Sequence, residues 1–276
     1  MYLLYCDETN MEEKAGDFLL YAGVSIPPNA AADLVADIEA ARRTHNVPKD
    51  FQMKFNPGPP GLSNDEFIAL KRSVLTAADK HGVKLFAYVV LHDLARSQGA
   101  DEARLRGINT VLYHFDCYLN RKSAPGTVLL DRFNNRGNKI DKHVREKVSV
   151  GLTGLPYSSE MRLKNVLGVH YSAIGQSQFC SLVDIVVGSL RFAINAHTRS
   201  KPESGATARE LLRMLDPLFF REEGEFASGK VSELGLQFSP KAIRVQKYRE
   251  KYQGLKDFLA ENGIEVSQAI TNERTY

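Results

Sequence analysis

Apolar residues open the chain as an unbroken run, Met1 to Tyr5, and return over Asp17 to Ile26 after a short polar interval from Asn10 to Gly16. Two such runs around a short link predict a β-hairpin over residues 1–6 and 17–26, stopped by Pro27-Pro28-Asn29. The rhythm then changes. Leu34, Val35, Ile38 and Ala41 recur at helical spacing and predict a helix over 30–45. A short extended piece, Phe51 to Phe55, precedes the breaker run Asn56-Pro57-Gly58-Pro59-Pro60-Gly61. Asn64 suits an N-cap for a helix running to Lys80, with Glu66 in its first turn. A dense β run follows over 83–91. Next comes a helix over 101–119 with the stripe Ile108, Val111, Leu112, Phe115, Leu119. The remaining pattern predicts a strand over 126–130, a helix over 139–150, a strand over 164–171 and a mostly buried helix over 177–196.

A hairpin followed by alternating helices and strands predicts an α/β fold. Its mixed sheet would start antiparallel, add parallel strands and carry helices on both faces. The polar stretch Arg199 to Thr207 is the best boundary, which divides the chain into a main domain over 1–198 and a small C-terminal extension over 199–276. The extension reads as a helix over 208–220, a weak strand over 232–238 and a charged helix over 241–262.

Composition narrows the setting. The net charge of +3 is only mildly basic, so nucleic-acid binding would need a local patch. Cys6, Cys117 and Cys180 have no close spacing and lie in apolar segments. They read as buried free thiols in a reducing compartment and not as a zinc site. Asp7 and Glu8 interrupt the first apolar run too early for a signal peptide, and no uncharged apolar stretch reaches membrane-spanning length. A cytoplasmic protein without a membrane partner is the expectation.

Three acids stand in unusual places. Asp7 closes the first strand in Tyr5-Cys6-Asp7-Glu8-Thr9, and Asp131 closes Val128-Leu129-Leu130-Asp131. Each reads either as a strand-ending turn residue or as a ligand. Parallel neighbouring strands would bring both to the carboxyl edge of the sheet, where ligands bind in open α/β folds. Asp93 also follows a strand, and it reads first as an N-cap. Asp184 lies among Phe179, Leu182, Val183, Ile185, Val186, Val187 and Leu190, and Ser177, Ser181, Asp184 and Gly188 share one narrow stripe. A carboxylate there needs a partner. The candidates are Arg191, a Lys from elsewhere in the chain, and a cation shared with Asp7. Glu8 would join Asp7 only if the backbone turned, since consecutive strand residues face opposite ways. Carboxylates suit Mg²⁺ or Mn²⁺, and paired ions of that kind cleave phosphodiesters.

These residues resemble a family called domain of unknown function 3800, whose members look like RNase H-fold proteins. Its pattern opens with an aromatic-rich strand running into Asp-Glu-Ser, matched by Tyr5 to Thr9 with Thr9 for Ser. A Lys in an extended segment is matched by Phe51-Gln52-Met53-Lys54-Phe55, and a strand ending in Asp by Val128 to Asp131. A late Gln-Leu-Ala-Asp-Leu helix is matched by Ser181-Leu182-Val183-Asp184-Ile185, where Ser181 replaces Gln. The likeness spans residues 1–196. It implies an RNase H-like sheet with Asp7, Asp131 and Asp184 as catalytic metal ligands around Mg²⁺ or Mn²⁺. Glu8 would be a further acid of the site. The helix over 30–45 is additional to that plan.

Basic residues supply the substrate side. Lys54 reads as a snorkelling surface lysine, as a phosphate contact, or as a group that holds a carboxylate in place. After Asp131 come Arg132, Asn134, Asn135, Arg136, Asn138 and Lys139, a loop suited to phosphate and base contacts. The helix beyond, with Lys142, His143, Arg145 and Lys147, reads mainly as a solvated face, as does the basic set from Lys241 to Lys251. His143 and His170 are distant candidates for a general base. The expectation is a metal-dependent nuclease acting on RNA, DNA or a hybrid, with Lys54, Arg132 and Arg136 on the substrate. The rival is a non-catalytic binding scaffold on the same fold, as a homo-oligomer or a component of a defence or mobile-element assembly. A third reading takes Asp184 and Arg191 as a structural ion pair in an unrelated enzyme.

Overall fold

The structure is a computed structural model and describes residues 1–12, 14–96, 99–132, 139–149, 162–224 and 227–273. The first two apolar runs pair antiparallel as β1 (Tyr2–Thr9) and β2 (Phe18–Ile26), with Leu3 opposite Ile26 and Thr9 opposite Leu20. β1 therefore continues through Asp7 and Glu8. α1 (Ala31–Thr44) and α2 (Asn64–Lys80) follow. Ser63, and not Asn64, caps α2: its hydroxyl accepts the Glu66 N–H while the Glu66 carboxylate accepts the Ser63 N–H. β3 (Lys84–Leu91) lies antiparallel to β2.

α3 (His92–Ala95) is a single turn. Asp93 lies inside it and does not cap it; its carboxylate accepts the Gly16 N–H at 2.6 Å and so holds the hairpin loop. α4 (Ala100–Arg121) leads to β4 (Gly126–Asp131), which runs parallel to β1 on the side away from β2. α5 (Lys139–Ser149) precedes β5 (Val166–Ser172), parallel to β4. α6 (Gln178–Thr198), α7 (Gly205–Leu215), β6 (Leu236–Ser239) and α8 (Gln246–Ala260) complete the order. The result is an α/β protein with a six-stranded mixed sheet, β5-β4-β1-β2-β3-β6, flanked by helices.

Strand alternation sorts the core into two layers. Tyr5, Leu20, Ala22, Val24, Ala87 and Val89 face one layer, filled by α1, α2, α6, α7 and α8. Leu4, Cys6, Tyr21, Phe86, Tyr88 and Leu130 face the other, filled by α4 and part of α5. β2 is buried along its whole length because both faces are covered, which explains its unbroken apolar sequence. α6 is long and apolar enough to cross a membrane by composition, but it is mostly buried inside the protein.

The C-terminal stretch does not stand apart from residues 1–198. β6 pairs with β3, Val89 opposite Phe238. Leu212, Leu215, Tyr252 and Leu255 enter the same core as α6. Gln268 stitches the last segment to β6, donating to Phe238 O and accepting from Phe238 N, each at 2.8 Å. Polar composition at 199–207 marked a bend in the chain and not a break between cores.

Candidate active site

The parallel pairing of β1 and β4 places Cys6 opposite Leu130. The next residue on each strand is an acid, so Asp7 and Asp131 leave the sheet side by side. Asp131 in turn lies opposite Ser172, the last residue of β5. Both acids have the strand parity of Tyr5 and Leu129, whose side chains face the α6 layer. In the run Phe179 to Leu190 of α6, Asp184 alone is not fully buried. Asp7, Asp131 and Asp184 line one cavity of about 80 Å³ with Lys54, Ser172 and Cys180.

The electrostatics follow from this crowding. Burial, and then the charges of Asp184, Glu8 and Asp131, push the Asp7 carboxyl well above the usual carboxylate range. The Glu8 N–H donates to Asp7 Oδ1 at 2.8 Å and pulls the other way. Burial also raises Asp131, which the Arg132 backbone N–H and the Lys54 ammonium oppose. Lys54 is therefore the cationic side chain that Asp131 feels directly.

Asp184 is held by backbone. Its Oδ2 accepts the Phe55 N–H at 2.5 Å, which pins the Met53–Phe55 segment against α6 and sets Lys54 over the cavity. Gly188, one turn further along, makes this approach possible: a Cβ there would lie 2.4 Å from both Cβ and Cγ of Phe55. The stripe of small residues is thus a seat for Phe55. The buried Lys71 ammonium stands 3.9 Å from the Phe55 centroid and 4.0 Å from that of Phe67. The Arg191 guanidinium stands 5.7 Å from the Phe55 centroid. Among the described residues Asp184 forms no ion pair within 4.0 Å, with Arg191 or any other cation.

Glu8 lies elsewhere. Because β1 does not turn until after Thr9, its side chain has the parity of Cys6 and faces the α4 layer. There Glu8 Oε1 meets Arg104 at 3.5 Å, and Arg104 also reaches Asp101 at 4.0 Å. Glu8 Oε2 is buried without a hydrogen-bond partner among the described residues. Burial, against the pull of Arg104, pushes Glu8 up to about 7.

Arg132 lines a second, larger cleft beside the cavity, and Ser172 borders both. Arg136 and the loop around it lie outside the described residues. His143 bonds Asn109 at 2.7 Å on the α4 side, away from the acids. The sequence reading missed Ser172, Lys71 and Arg104. Two of them carried a signal: Lys71 interrupts the buried face of α2 beside Leu70 and Val74, and Arg104 lies one turn before Ile108 on the apolar stripe of α4.

The donor set suits a hard divalent cation, since three carboxylates converge and no imidazole lines the cavity. Burial pushes the Cys6 thiol far up and keeps it neutral. Among the described residues no three His, Cys, Asp or Glu side chains are yet close enough to hold an ion. Binding would require the carboxylates to draw together. No family model matches the chain, and neither a curated protein nor a solved structure matches it.

Proposed function

We propose that the protein is a divalent-metal-dependent nuclease with an RNase H-like fold. The observation that carries this reading is the convergence of Asp7, Asp131 and Asp184 on one cavity with Lys54 beside them. A sheet that begins antiparallel through β1, β2 and β3 and adds β4 and β5 parallel to β1 supports the RNase H-like part. So do the motif residues that resemble the domain of unknown function 3800 family.

In this reading Asp7, Asp131 and Asp184 hold Mg²⁺ or Mn²⁺. A bound ion would supply an activated water and offset charge on a phosphodiester. Lys54 neutralises a phosphate oxygen at the cavity mouth, and Arg132 meets a flanking phosphate in the adjoining cleft. Glu8 is a neighbouring acid acting through its charge on Asp7 and not a ligand.

The test is thermal unfolding in EDTA, Mg²⁺ and Mn²⁺, for wild type and the Asp7→Asn/Asp184→Asn variant. An ion at about a hundred times its Kd stabilises the folded state by about 2.7 kcal/mol, or roughly 5–10 °C for a chain of this size. The rise should vanish in the variant, and so should cleavage of RNA or DNA. Cleavage that survives Asp7→Asn would rule this site out.

The Asp184–Phe55 hydrogen bond favours one other reading: a non-catalytic scaffold that binds nucleic acid or protein, in which Asp184 serves structure. It predicts binding that EDTA does not weaken.

A further inference from the structure

The acidic cavity, at about 80 Å³, accepts an ion and a few atoms of a phosphate but no nucleoside. A substrate must therefore place its bulk next door. The cleft that adjoins the cavity at Ser172 measures about 380 Å³, within the size range of small-molecule sites. It lies at the end of β5, where Asp131 and Ser172 stand opposite each other. Its lining combines a cation, a carboxylate, an aromatic ring, an aliphatic residue and an amide: Arg132, Asp141, Tyr171, Ile140 and Gln176.

Each of these groups has a use for one ligand class. Ile140 is almost fully buried and forms an apolar wall. Tyr171 is 43% exposed, a large aromatic surface left accessible at the mouth of a cleft. Its hydroxyl is tethered to Asp141 across the cleft, which limits the ring's freedom before any ligand arrives. Gln176 accepts the Ala173 N–H at 2.8 Å through Oε1, and among the described residues its amide N–H donors are not engaged. Arg132 follows Asp131 in the chain and stands where the cleft meets the acids.

We infer that this cleft receives the unpaired base next to the scissile phosphate, so that the substrate is single-stranded nucleic acid. The inference rests on the nuclease reading of the acidic cavity. A base enters such a slot face-on to the tyrosine and edge-on to the amide, and in a duplex both its faces and its pairing edge are already occupied. RNA and DNA share the chemistry that the slot recognises.

The experiment measures fluorescence anisotropy of labelled single strands about ten nucleotides long, one RNA and one DNA. Unlabelled duplexes of the same sequence serve as competitors. The proteins are the full-length wild type in EDTA, Tyr171→Ala and Tyr171→Phe; cleavage in Mg²⁺ is assayed in parallel. Loss of one stacked base weakens binding by about fivefold to a hundredfold, and that is the effect expected of Tyr171→Ala. Tyr171→Phe keeps the stacking ring and loses the tether to Asp141, so it should bind much closer to wild type than Tyr171→Ala does. The ratio of RNA to DNA affinity identifies the natural strand. Duplex that competes as well as single strand, unchanged affinity in Tyr171→Ala, or no binding of either strand overturns the slot. If cleavage nevertheless persists and depends on Asp7, the nuclease reading stands without it. Tyr171-dependent strand binding without metal-dependent cleavage supports the slot and removes the nuclease reading.

Discussion

Gly188→Ala sets two known effects against each other. In an unconstrained helix the change stabilises by about 1 kcal/mol, because alanine is the better helix former. Here the new Cβ would lie 2.4 Å from Phe55 Cβ and Cγ, whereas carbon atoms rest at about 3.5–4.0 Å. The atoms it meets are the root of the Phe55 side chain, so a change of rotamer cannot relieve the clash. The Phe55 backbone must retreat by about 1 Å, judged from that contact distance. The Phe55 N–H to Asp184 Oδ2 distance is 2.5 Å, and such a retreat takes it to the outer limit of a useful hydrogen bond.

The costs are then about 1–3 kcal/mol for overpacking and about 1.5–3 kcal/mol for a hydrogen bond to a charged group, each softened by relaxation. They exceed the helix gain. We expect a net destabilisation of about 1–3 kcal/mol, measured by urea unfolding with the slope unchanged. A variant more stable than wild type would show that Phe55 does not seat on Gly188, and the account of how Asp184 and Lys54 are positioned would fall with it.

Three further predictions concern titration and the C-terminal segment. Glu8 rises from an ordinary 4.5 to about 7 on folding, so the folded state binds the extra proton and stability falls as pH rises through that window. Glu8→Gln should flatten this fall, by on the order of 3 kcal/mol between pH 4.5 and 7; parallel curves for the two proteins would refute it. Burial first, then Arg191, lowers Lys71 to about 8, with Asp184 opposing. The unfolded chain thus holds more protons between pH 8 and 10.5, stability rises across that range, and Lys71→Met should abolish the rise in a pH series of melts. Tyr252 accepts the Leu91 N–H at 2.7 Å and donates to Ser239 O, which ties β3 to the start of the C-terminal closure. Tyr252→Phe should cost about 1–3 kcal/mol for the buried donor left unpaired, and an unchanged chemical midpoint would contradict that.

Much of this protein was written locally. Apolar runs with strand composition, apolar residues at helical spacing and breaker clusters identify most of the elements, since each depends on residues within one or two turns of one another. Strand-ending acids are visible for the same reason, and Asp184 announces itself as a charge among apolar helix neighbours. Even the opposed directions of Asp7 and Glu8 follow from strand alternation, once the strand is known to continue. What the tertiary structure alone decided is which distant pieces meet. The pairing of β1 with β4 and of β4 with β5 sets Asp7, Asp131 and Ser172 on one edge. Phe55 on Gly188 turns Asp184 to the backbone and lifts Lys54 to the cavity. The last strand and helices close the same core instead of forming an appendage. Those contacts depend on volume and register between segments far apart in the chain, and no local pattern of residue types encodes either.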